Sequence, residues 1–315
     1  AGDGERGGGI AEGLVLGPGI AVEAGEHLLE LVALVVPDLP IGPHRAVGQC
    51  LDGWEFSRVT LKNPFLISYL ISLANAKQVG VCLREIVSGK EVETPVLEDI
   101  LAHLDASPWQ EGLKWAFTSE RIYGLEIILL HLQGENPLGL NTYEKALFWL
   151  LRPVIKTEAI DLLTWYDRQF EAASIPHYER RPLMQEFQVS LDSLPWYHKI
   201  SETVIPNFIS VYLKLATLEA MTDTTRIGLA CKIYKNQHGE FPDTLSDLAP
   251  EILSEIPLDP FTGESMIYRR EGDGFIVYSI GANLRDDGGR ETQRITSLVM
   301  EKDDDWAWDE GVSKH

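Results

Sequence analysis

Long hydrophobic runs are what this chain of 315 residues most conspicuously lacks. No stretch of 18 or more uncharged apolar residues occurs, which is about the length a membrane-crossing helix needs. The best candidates, Phe65 to Ala76 and Thr203 to Leu213, are too short and are bounded by Lys or Glu. The opening Ala-Gly-Asp-Gly-Glu-Arg-Gly-Gly-Gly is not a basic region followed by an apolar stretch. The expectation is a chain without a membrane span; if the protein is exported, its signal or anchor has been removed or its true start lies elsewhere. Positive charge is scarce too, with 27 Lys and Arg against 48 Asp and Glu and a net charge of −21. Phosphate backbones need clustered cations, so a nucleic-acid surface is excluded and cations or basic partners are the natural companions. Cysteine is limited to Cys50, Cys82 and Cys231, without C-x-x-C spacing. That excludes a zinc ribbon or dithiol redox motif and leaves room for one disulfide at most; the plain alternative is three small buried hydrophobes.

Catalytic signatures are missing as well. There is no G-x-S-x-G elbow, no G-x-x-x-x-G-K-[ST] phosphate loop and no H-E-x-x-H pair. Gly2, Gly4 and Gly7 match G-x-G-x-x-G, but no strand precedes them, and Asp3 and Glu5 would repel a pyrophosphate. His177, His198 and His238 sit beside aromatic or basic residues, or in a turn, and read as surface or structural groups.

What is there is helical periodicity. Residues 1–54 form an atypical Gly/Ala/Pro-rich leader, with little regular structure expected up to about residue 50 beyond a short helix near Ala24 to Val35. From Asn63-Pro64, the spacing of Leu66, Tyr69, Leu70 and Leu73 predicts a helix, stopped near Gly89. Others are expected from Thr94 to Leu104, from Trp109 to Leu132 with Ser107 as cap, and from Tyr143 to Leu151 with Asn141 or Thr142 as cap. Further helices follow over Pro153 to Ala173, over Glu179 to Leu191 and from about Ile200 to Asn236. Short connections favour antiparallel neighbours, so residues 55–225 read as a helical bundle or layered array.

At Gly239 the texture changes. Phe241 to Leu248 holds a short helix, and Met266 to Arg269 with Phe275 to Tyr278 read as strands joined by Glu271-Gly-Asp-Gly274 hairpin chemistry. The fold class is therefore mostly α, with a C-terminal α+β module over residues 226–315. Beyond Tyr278 come Ser279, Asn283, Asp286 and Asp287, and then Asp303, Asp304 and Asp305. Oxygen ligands of this kind suit a hard cation, and Gly281, Gly288 and Gly289 let the backbone turn its carbonyls inward. The order of residues is not that of an EF-hand. An acidic run can equally be a solvated surface. The same carboxylates can be catalytic, as in a glycoside hydrolase, although a general acid needs a drier setting than a glycine-rich loop. Trp306 and Trp308 need something to dock on, either the hairpin or a partner.

Three segments together carry a family resemblance: Tyr234-Lys-Asn-Gln-His-Gly239-Glu-Phe241-Pro242, Ile256-Pro257-Leu-Asp259-Pro260-Phe261-Thr-Gly263, and Tyr278-Ser279-Ile-Gly281-Ala-Asn283-Leu-Arg-Asp286-Asp287-Gly288-Gly289. Over roughly residues 215–309 the chain resembles the globular head of the major pseudopilin of bacterial type II secretion systems. The resemblance implies a loop wrapped around one calcium, with Asp286, Asp287 and Asp303 to Asp305 as candidate carboxylates and Ile280 and Ala282 as carbonyl donors. It also implies an extracytoplasmic setting, in the periplasm or cell envelope, with protein partners there. One departure is visible: the insertion Arg290 to Glu301 is longer and more apolar than the family's loop. The family's apolar N-terminal anchor and its processing motif are not found, so a head reused as a module of a larger cell-envelope protein is expected rather than a pilus subunit. The main functional expectation is a non-enzymatic structural or assembly protein. The alternatives are a hydrolase-type enzyme with a cleft between the helical and α+β parts, and a helical adaptor that binds a peptide.

Overall fold

A computed structural model describes residues 43–105, 108–137, 139–150, 152–193, 208–289 and 306–311. All of them belong to one unit that begins at Pro40. The expected helix near Ala24 to Val35 lies outside the described residues, as do Ser107 and His198.

The first described helix, α1 (Pro43–Thr60), was not expected from the sequence and runs through the boundary drawn at residue 54. Gly48, Gly53, Val59 and Thr60 are weak helix formers, which hides it from local reading. Its helicity comes from packing: Val47, Leu51 and Trp54 share one face and are buried, and the Trp54 indole N–H donates to the His103 carbonyl at 3.1 Å. α2 (Leu66–Val87) turns back against it. α2 is long and apolar enough to cross a membrane, yet Tyr69, Leu73, Ala76, Leu83 and Val87 are buried among other helices, as in the core helix of a globular fold.

Four more helices fall where the periodicity put them: α3 (Thr94–Asp105), α4 (Trp109–Gln133), α5 (Thr142–Leu150) and α6 (Arg152–Ala172). α4 ends at Gly134, whose φ of 96° lets its N–H reach back to the His131 carbonyl while Glu135 N–H reaches Leu130. At the start of α5, Asn141 Oδ1 accepts from the Tyr143 and Glu144 amides, and Glu144 returns a carboxylate to the Asn141 N–H. Of the two expected caps, Asn141 and Thr142, that reciprocal pair of bonds selects Asn141. α7 (His177–Asp192) and the long α8 (Phe208–His238) complete the helical part among the described residues.

α8 joins the two textures. It packs on α2, α3 and α7, and also on the β-sheet, so the boundary expected near residue 225 falls inside one continuous helix and one continuous core. After it come a 3-10 turn (Leu245–Leu248), capped reciprocally by Thr244 and Asp247, and the hairpin β1 (Ile267–Glu271) and β2 (Gly274–Ser279). Glu271 pairs with Gly274, so the turn is Gly272-Asp273, and Gly272 takes a φ of 61°. Of the two docking partners expected for the segment containing Trp306 and Trp308, the hairpin is the one it meets. The segment is a third strand, β3 (Trp306–Glu310), antiparallel to β2, which makes β2 the central strand.

Phe275 and Val277 of β2 and Trp308 of β3 face α8 and join the main core, whereas Ile276, Tyr278 and Ala307 form a small cluster on the opposite face. Glu310 is the anchor of the inner face. Its Oε1 accepts from Lys232 Nζ at 2.5 Å and from the Gly89 amide at 3.0 Å, and its Oε2 accepts from the Trp308 indole at 3.1 Å. Arg84 donates to the Ala307 carbonyl at 2.7 Å. The last strand is thereby held to both α8 and the end of α2. The architecture is mostly α with a small antiparallel sheet at the C-terminal end.

Candidate functional site

The acidic loop leaves the end of β2 and folds back across the outer face of the sheet. Gly289 sits so close to Ile276 and Tyr278 that a Cβ there would lie 2.6 Å from the Ile276 methyl, and its φ of 75° is one that side chains avoid. Tyr278 OH donates to Asp286 Oδ1 at 2.8 Å, and the Gly288 amide donates to the same oxygen at 2.9 Å. These bonds, with Arg269 nearby, hold the Asp286 carboxyl below the usual carboxylate range, so it is ionised at neutral pH. Asp287 Oδ2 accepts from Asn283 Nδ2 at 2.9 Å.

Behind the loop stands Asp259, a buried carboxylate that sequence reasoning noted only as part of a motif. Its Oδ1 accepts from the Phe261 amide and from Ser279 Oγ, both at 2.9 Å, and its Oδ2 accepts from the Ile280 amide at 3.1 Å. Burial raises its pKa and the three donors oppose that. Asp259 thus ties the Asp-Pro-Phe-Thr-Gly turn to the first residues of the acidic loop. A carboxylate so fully engaged within the protein positions the loop instead of offering itself to a ligand.

Of the residues singled out from sequence, the structure brings Ile280, Ala282, Asp286 and Asp287 into this loop. Asp303, Asp304 and Asp305 lie outside the described residues. The described chain resumes at Trp306, and Trp306 pairs with Ser279, the residue at which the loop begins. Among the described residues Asp286 Oδ2, Asp287 Oδ1 and the carbonyls of Ile280 and Ala282 accept no hydrogen bond, whereas the Gly281 carbonyl takes the Leu284 amide. Four oxygens fall short of the six to eight that calcium takes. Among the described residues no three His, Cys, Asp or Glu side chains converge as a metal cluster.

A second polar centre, inside the helices, had no sequence signal. Arg180 of α7 is fully buried, donates to the carbonyls of Ala172 and Ile175, and lies 4.3 Å from the centre of the Tyr212 ring. Tyr212 OH donates to the Gln169 carbonyl at 2.8 Å. Glu219 faces the same group; burial pushes its carboxyl up to about 7, with Arg180 and the Gln110 amide pulling it down. The Tyr69 and Tyr166 hydroxyls, the Gln169 side-chain amide and Arg180 Nη1 have no partner among the described residues. Unpaired donors and acceptors in a closed core are the usual setting for internal water. A cation this deep is invisible to periodicity, because Arg180-Arg181-Pro182 reads as the polar face of an amphipathic helix.

The histidines divide. His238 stacks on Tyr234 one turn away. His177 is buried at the junction of helices and head, edge-on to Phe261 with ring centroids 5.3 Å apart, while its neighbour Tyr178 lies against Gly263. Burial, with Arg180 and Arg181 adding repulsion, lowers the His177 pKa to about 4. The stability that this neutral ring lends is present in full above about pH 6.5 and is lost as pH falls through about 4, because only the unfolded chain takes up the proton readily. Urea unfolding at pH 7.5 and pH 4.5 is expected to show an acid loss of which up to about 3 kcal/mol disappears in His177→Gln. Equal acid losses in the two proteins would rule out this assignment.

No protein-family model, no curated protein and no solved structure matches this chain.

Proposed function

We propose that this chain is a non-enzymatic structural or assembly protein of the cell envelope, in which a helical part carries a pseudopilin-like head with a calcium-holding loop. The observation that carries the proposal is the register Ser279 to Trp306, which brings the two ends of the acidic segment together at the end of the β2–β3 ladder. A loop closed at its base has already met part of the entropic cost of wrapping around a cation. In this proposal Asp286 and Asp287 supply the charge and Ile280 and Ala282 supply carbonyls, while Asp303, Asp304 and Asp305, the sequence's candidates for further oxygens, lie outside the described residues. The extracytoplasmic setting follows from the family resemblance and from the millimolar calcium that weak sites of this type need.

Calcium bound only by the folded head raises its stability by mass action. With a dissociation constant in the range of about 0.1–1 mM, 5 mM calcium is expected to add about 1–2 kcal/mol, read as a rise in melting temperature that chelator reverses. Asp286→Ala with Asp287→Ala lowers the starting stability, since the Tyr278 bond goes, and abolishes the calcium increment. No increment in the unaltered chain sinks the calcium site; an undiminished increment in the double variant moves it to other residues.

The adaptor alternative has one observation in its favour. Trp115, Ile122 and Leu129 follow each other at seven-residue intervals along α4 and are all more than half exposed. Such a stripe fits the apolar face of a partner's amphipathic helix. Weakened pull-down of an envelope partner by Trp115→Ser, with calcium binding intact, favours this second role.

A further inference from the structure

α1 and α2 form an antiparallel pair whose register is fixed by four described contacts. Thr60 Oγ1 and Ser72 Oγ share a hydrogen bond of 2.6 Å, and Asn75 Nδ2 donates to Ser57 Oγ at 2.6 Å. Asn75 Nδ2 also reaches the Gly53 carbonyl at 3.2 Å. At Gly53 a Cβ would stand 3.0 Å from a Val79 methyl, so the two backbones approach closely there. Each step back along α1, from Thr60 to Ser57 to Gly53, is met by an equal step forward along α2, from Ser72 to Asn75 to Val79. One more step of the same size sets Cys50 opposite Cys82. Both thiols are free and both are partly exposed.

We propose that Cys50 and Cys82 are a disulfide pair that staples α1 to α2 when the chain meets a disulfide oxidant. Interhelical disulfides need Cα atoms within about 7 Å, and the close approach at Gly53, one turn away, supplies that neighbourhood. The chemistry is two successive exchanges. One cysteine thiolate attacks the oxidant's disulfide and releases one of its sulfurs as a thiol. The second cysteine thiolate then attacks the mixed disulfide and releases the other. Two cysteine thiols are oxidised, one oxidant disulfide is reduced to two thiols, and protons balance between them. Burial raises both pKa values, Cys50 to about 11, with the facing Cys82 adding to it. Exchange is therefore slow at neutral pH and quickens as pH rises. Cys231 takes no part, being fully buried in α8. The inference stands apart from the calcium loop and from the compartment, since the oxidant is added.

The test is incubation of the full chain with oxidised glutathione at pH 8.5, followed by trypsin without reductant and mass spectrometry. The expected product joins peptide 46–58 to peptide 78–84 and is two hydrogens lighter than their sum. The oxidised chain is expected to melt about 5–10 °C higher, the gain vanishing with dithiothreitol. Cys50→Ser and Cys82→Ser each remove the cross-link and the gain, and Cys231→Ser keeps both. Glutathione adducts without the cross-link, or cross-links only between chains, overturn the proposal. So does a cross-link that leaves the melting temperature unchanged or lower, since it would show the staple forming only by distorting the native pair.

Discussion

Glu310→Ala is expected to lower the free energy of unfolding by about 3–5 kcal/mol. Glu310 and Lys232 are a buried pair at 2.5 Å, and breaking such a pair from one side leaves an uncompensated ammonium in the interior. The same carboxylate accepts from the Gly89 amide and the Trp308 indole, so its loss leaves two further donors unsatisfied. Lys232 keeps a bond to the Lys90 carbonyl, which softens the penalty without removing it. Chemical denaturation followed by tryptophan fluorescence reads the effect. Adding Lys232→Met to Glu310→Ala should recover a part of the loss, because no buried charge then remains. A Glu310→Ala protein within about 1 kcal/mol of the parent would mean that the last strand is not held in this way.

Gly228→Ala carries the second large effect, and its sign is the reverse of the usual one. In a helix interior, alanine stabilises relative to glycine by about 0.5–1 kcal/mol. Here a Cβ would lie 2.4 Å from a ring carbon of Trp308, which is itself buried and held by its bond to Glu310. The indole cannot swing aside as the end of a flexible chain would, so α8 and β3 must separate. A net loss of about 2–3 kcal/mol is expected, in the range of overpacked cores. Gly48→Ala in α1 is the matched control, since nothing lies within 4 Å of its Cβ position, and it should gain up to about 1 kcal/mol. Melting temperatures moving in opposite directions support the close approach of β3 to α8; a Gly228→Ala protein as stable as the parent contradicts it.

Both substitutions probe a contact that no local pattern announces. Trp306 to Glu310 has the alternation and aromatic content of a strand, but a five-residue segment after an acidic run has nothing nearby to pair with. Its partner in the strand ladder is β2, about thirty residues earlier. The acidic loop was half legible. Asp286, Asp287 and their glycines stand out as a cluster in the chain, whereas the role of Asp259, twenty residues upstream of Ser279, emerges only when its three donors are seen around it.

By itself the sequence determined where most helices begin and end, and where the texture turns from α to α+β. Those features depend on neighbours three or four positions away: the Asn141 cap, the left-handed Gly134, the Gly272-Asp273 turn. Tertiary structure decided the rest. α1 is helical because α2 and α3 bury its apolar face, Arg180 is tolerated inside because carbonyls and a tyrosine ring surround it, and β3 exists because β2 and α8 leave a place for it. The reason is the same in each case: burial and pairing between distant segments outweigh local preference, and their partners cannot be counted along the chain.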